Sequence, residues 1–130
     1  MKNLVLLIAA TIILVGCTDI EQIKDDLYGM WSVDFANYNG EVITKSSFAV
    51  NAFIVKREGE CRFPTIVGET KGQGTWELQK VGKDVVFKVS NSKNVLFNGE
   101  YIVTIINKST YLQLELDSDD VSLRCKKSIY

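Results

Sequence analysis

The sequence predicts an all-β domain of antiparallel strands, and three observations carry that expectation. From Met30 onward, apolar and polar residues alternate with a period of two in several separate runs. Turn-forming residues punctuate the runs at Asn39-Gly40, Gly82-Lys83-Asp84, Asn98-Gly99, Lys108-Ser109 and Ser118-Asp119. The runs mostly follow one another at about ten to fifteen residues, which leaves no room for crossover helices. Neighbouring strands must then pair as a meander, whose closed form is a barrel or a sandwich.

Before the first strand the chain carries an address. Lys2 precedes an apolar run over residues 4–15. A transmembrane helix needs about 20 such residues, so the run fits the core of a secretory signal peptide instead. Its end, Leu14-Val15-Gly16-Cys17, resembles the bacterial lipobox. That resemblance implies removal of residues 1–16 and lipid modification of Cys17, with palmitate among its acyl chains. One acyl chain binds a membrane marginally and two or more anchor it durably. Residues 17–28 read as a lipidated tether ending in a short helix: Ile20, Ile23 and Leu27 recur at helical spacing, and Gly29 sits where a helix stops. Asp19 and Glu21 form a solvated linker, or a sorting signal for the cell surface.

The domain proper spans residues 29–130. Trp31, Val33 and Phe35 share one face of the first strand. Residues 48–55 and 101–106 are apolar on both faces, and read as strands with extra cover outside. The stretch from Gly59 to Gly72 holds Cys61 and the sole proline, Pro64, and reads as an edge strand or a loop. Trp76 and Leu78 alternate with polar residues, as do Val85, Phe87 and Val89. Leu112, Leu114 and Leu116 form another such run, and Val121, Leu123 and Cys125 the last.

Two sets of residues resemble known families. Gly29-Met30-Trp31, after a short helix and opening the first strand, resembles the lipocalin Gly-x-Trp start. Three features are similar to small lipocalin-like lipoproteins of Bacteroidetes: Gly72-x-Gly74-Thr75-Trp76, Phe97-Asn98-Gly99-Glu100-Tyr101 and Leu123-Arg124-Cys125. The resemblance implies an up-and-down, eight-stranded barrel in which Gly29 and Trp31 close one end. It also implies a basic residue of the last strand over the indole, Arg124 or Lys126. In that group a cysteine before the Gly-Thr-Trp segment pairs with one in the last strand, which maps onto Cys61 and Cys125. Parity and export point the same way, since assigning Cys17 to lipid leaves an even pair; two buried thiols are the other reading.

The residue types exclude much chemistry. The chain has no histidine, which removes the commonest general base and metal ligand. With Cys17 acylated and the other cysteines bonded, no thiolate is left for catalysis or zinc. Asp117-Ser118-Asp119-Asp120 lacks the glycine and ligand count of a calcium loop. We therefore expect no enzyme, no metal site and no cofactor. Among 130 residues, 15 are basic and 16 acidic without a basic run, so no nucleic acid is expected as partner. Attachment to the membrane falls to the acyl chains on Cys17. The expected location is the bacterial cell envelope, the outer membrane before the inner.

Two functions fit. As the resemblance implies, the barrel binds a small lipophilic molecule, with Phe35, Trp76, Phe87 and Tyr101 lining a cavity. Alternatively those aromatics are core, and a filled barrel serves as a protein-interaction module: an inhibitor, an immunity factor or an envelope-assembly accessory. A dry cavity above about 300 Å³ favours the first, and a packed interior with an exposed apolar patch the second.

Overall fold

The computed structural model describes residues 20–68 and 72–129, so the expected signal peptide and lipidation site, Cys17, lie outside the described residues. A helix, α1 (Ile20–Leu27), leads into β1 (Gly29–Tyr38), β2 (Glu41–Ile43), β3 (Ala52–Val55), β4 (Glu60–Arg62) and β5 (Gln73–Val81). The chain continues through β6 (Asp84–Ser90), β7 (Gly99–Asn107), β8 (Tyr111–Asp117) and β9 (Val121–Ser128). All neighbours pair antiparallel. Eight strands close a ring in the order β1-β3-β4-β5-β6-β7-β8-β9, sealed by β1 against β9. This is the small up-and-down barrel with an N-terminal helix that the sequence predicts. Closure removes the free edges an open sheet presents.

β1 belongs to two neighbours along one edge. Its first half pairs with β3 (Trp31 opposite Phe53), while its second half pairs with β2 (Ala36 opposite Ile43). The turn between β1 and β2 is Asn39-Gly40, with φ of 54° and 85°. Two left-handed residues in succession match the twist of a two-residue hairpin, which is why Asn-Gly occurs there.

Period two breaks once in β1, and the break moves a predicted site residue. Val33 faces Cys125 and Phe35 faces Arg124, so Asp34 is an extra residue without an opposite number. Such a bulge shifts the inward row by one. Trp31, Val33, Ala36 and Tyr38 point into the barrel, and Phe35 turns outward, 36% exposed. The Val33 carbonyl at the bulge is met by Asn51 Nδ2 at 3.0 Å.

Two further expectations change. The apolar stretch over residues 48–55 becomes strand only from Ala52, since a 3-10 turn (Lys45–Ser47) and a single bridge, Phe48 to Ile66, precede it. The segment around Cys61 is no edge: β4 lies inside the ring between β3 and β5. Asn98-Gly99 ends a longer β6–β7 connection rather than a tight hairpin. There a 3-10 turn (Val95–Phe97) puts Phe97 inside, and the Asn98 amide clasps both backbone groups of Ser92, at 2.9 and 3.0 Å.

Candidate functional site

The helix end of the barrel is closed by side chains that satisfy the helix's own carbonyls. The last four carbonyls of a helix have no partner within it. Here Trp31 Nε1 donates to Leu27 O at 2.8 Å, and Lys127 Nζ donates to Asp26 O and to Tyr28 O, the latter at 2.7 Å. The same ammonium lies 4.6 Å from the centroid of the Trp31 ring. The expected basic cover over the indole is therefore present, but it is Lys127 and neither Arg124 nor Lys126. Strand parity is the reason. Val121, Leu123 and Cys125 form the inward row of β9, and Lys127 is its next member. Arg124 and Lys126 face outward, Arg124 against Glu115 (3.6 Å) and the Phe35 ring, Lys126 against Asp34 (3.6 Å). Burial lowers the pKa of Lys127, and the charge of Asp26 works in the opposite direction. Gly29 enters the strand at φ of 120°, a conformation that L side chains rarely adopt.

Of the residues expected to line a cavity, Trp76, Phe87 and Tyr101 point inward and are buried, and Phe35 does not join them. Other aromatic rings pack around them. Trp76 stacks on Phe87 at 5.4 Å, and its Nε1 donates to Lys56 O at 3.0 Å. Phe87 meets Phe53 edge-on, Phe53 meets Phe63, and Phe63 stacks on Phe97 at 4.6 Å. Tyr101 donates to Phe97 O at 2.8 Å, and Tyr38, over Phe97 edge-on, donates to Pro64 O at 2.6 Å. An aromatic chain thus runs from the helix-capped end to the β1–β2 end. Buried phenol and indole groups keep a hydrogen-bond partner, as such groups require.

Cys61 and Cys125 also face this interior, as free thiols. The expected disulfide is not formed. Cys61 on β4 lies between Val55 and Gly74, and Cys125 on β9 between Val33 and Leu114. Two strands, β1 and β3, separate them in the ring, whereas a disulfide needs Cα atoms within about 7 Å. Burial pushes the Cys61 thiol up to about 12, helped by the charge of Glu60, and raises Cys125 as well. Thiols held protonated are neither nucleophiles nor metal ligands.

Among the described residues no cluster of metal-ligating side chains occurs, and no helix is long and apolar enough to cross a membrane. The two larger clefts found among the described residues are open to solvent. One, of about 580 Å³, opens beside α1 at the helix end of the barrel, lined by Ile23, Asp26 and Lys83 together with the core-facing Val85, Val103, Ile105 and Leu112. The other, of about 720 Å³, crosses the outer face of the sheet between β5 and the β8–β9 turn. The sequence reading missed both, and Lys127 too. No family model, curated protein or solved structure matches the chain.

Proposed function

We propose that the chain is a lipoprotein of the bacterial cell envelope, anchored through Cys17, whose filled barrel is a non-catalytic module for binding another envelope protein. The observation that carries this reading is the aromatic chain through the barrel, from Trp76 and Phe87 to Phe97 and Tyr38. An eight-stranded barrel is just wide enough to be filled by side chains or to hold one small ligand, and side chains occupy this one. Binding then falls to the outer surface. The lipobox-like Leu14-Val15-Gly16-Cys17 and the tether that follows support the anchor.

A small lipophilic ligand is the second reading, favoured by the cleft beside α1. Native mass spectrometry of residues 18–130, purified from the host, separates the two. The bare protein mass is expected, and a co-purifying lipophile would overturn the filled-barrel reading. Feeding cells labelled palmitate tests the anchor: label in the wild type should vanish in Cys17→Ala, and equal labelling would remove the anchor.

A further inference from the structure

We infer that the outer cleft across β5–β8 is the docking site for a basic, apolar-studded polypeptide segment of a protein partner. The proposal rests on the reading of the barrel as a protein-binding module, and gives that partner a chemistry. Its floor is a row of outward side chains. Val86 lies opposite Ile102, and Ile102 opposite Asp117, so three strands contribute to one line. Ile102 is 47% exposed, and Val81 at the end of the cleft is 55% exposed, on a face where period two normally places polar residues.

The rim carries one sign of charge. Asp84, Glu100, Asp117, Asp119 and Asp120 line the cleft, and no lysine or arginine does. None of these five carboxylates forms a salt bridge among the described residues; Lys88 is the cross-strand neighbour of Glu100. Three acids elsewhere on the strands, by contrast, are neutralised at close range. Asp34 meets Lys45 at 3.2 Å and Lys126 at 3.6 Å, Glu60 meets Lys56 at 3.3 Å, and Glu115 meets Arg124. Like charges without a salt bridge around a concave apolar floor focus a negative potential that attracts a cationic occupant.

The fold also limits how the occupant is held. β5 to β8 are all interior members of a closed ring, so none offers a free edge for an added strand. Recognition must come from side chains: apolar residues onto Val81, Val86 and Ile102, and Lys or Arg onto the rim.

Fluorescence anisotropy with the full protein in neutral detergent tests this. The probe is a labelled Lys-Val-Lys-Val-Lys-Val-Lys peptide with capped ends. Saturable binding is expected, weakened tenfold or more by Ile102→Asp and by joint Asp117→Asn, Asp119→Asn and Asp120→Asn. Glu115→Gln, on the neighbouring outward row, should leave it unchanged. Near-UV circular dichroism checks that the variants fold, and Ile102→Thr replaces Ile102→Asp if that one does not. Undiminished binding in the groove variants would overturn the proposal, as would equal binding of the matching Lys-Ser peptide, which only counter-ion attraction explains. A dimer of the protein that those variants dissolve would overturn it by making a second copy the occupant. No peptide binding by a barrel of bare mass would overturn the groove alone and leave the filled-barrel reading standing.

Discussion

Lys127 shows how one residue ties the ends of the chain together. Its ammonium joins the C-terminus of α1, the Trp31 ring and the end of β9. A lysine at a helix C-terminus satisfies carbonyls and complements the dipole, and a partly desolvated cation–π contact adds about 1 kcal/mol. Lys127→Met should cost on the order of 2 kcal/mol, read as a lower urea midpoint with unchanged slope. Arg124→Met should change stability by less than about 0.5 kcal/mol, because its ion pair is exposed. Trp31→Ala should cost about 3–5 kcal/mol, and Trp31→Phe less. The tryptophan was legible from Gly-x-Trp. Its cover was misread because basic character was weighed ahead of strand parity, which alone separates Lys127 from Arg124 and Lys126.

The buried thiols make a second prediction at this scale, and its sign follows from the raised pKa. Below about pH 9 the thiols are protonated in both states, and their contribution to stability is fully present. Above it the unfolded chain loses its thiol protons first, so stability falls as pH rises toward the folded value of Cys61, about 12. Each unit within that window costs about 1.4 kcal/mol per thiol. Under reductant, the wild-type urea midpoint should drop between pH 8 and 10.5, and Cys61→Ala should drop less. In residues 18–130, alkylation of the native protein should add nothing, while alkylation after denaturation without reductant should add two groups. The disulfide expectation came from the lipocalin-like resemblance, from export and from counting cysteines. Parity records how many there are, not which strands intervene, and the β1–β9 closure puts two strands between them.

At the scale of elements, most strands were legible because alternation survives wherever one face is buried. The failures sit where a single residue changes register. The bulge at Asp34 turns Phe35 out, and no local pattern marks it: Trp-Ser-Val-Asp-Phe alternates without interruption. Gly72 was noticed as part of a motif, and the structure supplies its reason. A Cβ there would lie 2.3 Å from Phe63 O, the residue whose N–H Gly72 O accepts at 2.8 Å. The backbones that continue β4 and lead into β5 meet too closely here for any side chain. Gly72→Ala should therefore force a backbone shift and cost about 1–3 kcal/mol, as overpacking does. Gly40→Ala, where nothing lies within 4 Å, suffers only its positive φ, and thermal melts of the two variants should show the smaller loss for Gly40→Ala.

For the whole molecule, what matters is that the barrel is closed three ways: around its circumference by β1 and β9, at one end by α1 with Trp31 and Lys127, and within by stacked rings. Whether the interior would be hollow was not legible. The same alternating aromatics line a cavity or fill it, and only the geometry of the connections decides. Here the β6–β7 connection turns Phe97 inward between Phe63 and Tyr38, with Tyr101 bonded to its carbonyl. Phe97 is thus a plug carried by a loop, and removing it should turn a filled barrel into a cavity. Phe97→Ala should cost about 3–5 kcal/mol, transfer and cavity terms together; Phe97→Leu should retain most of the stability. An apolar cavity stays dry and accepts a small aromatic guest, and a guest that binds only the folded state raises its melting temperature. Benzene should accordingly raise the melting temperature of Phe97→Ala and leave the wild type unmoved. A wild-type barrel that benzene also stabilises would have room inside already, and binding would return from the outer surface to the interior.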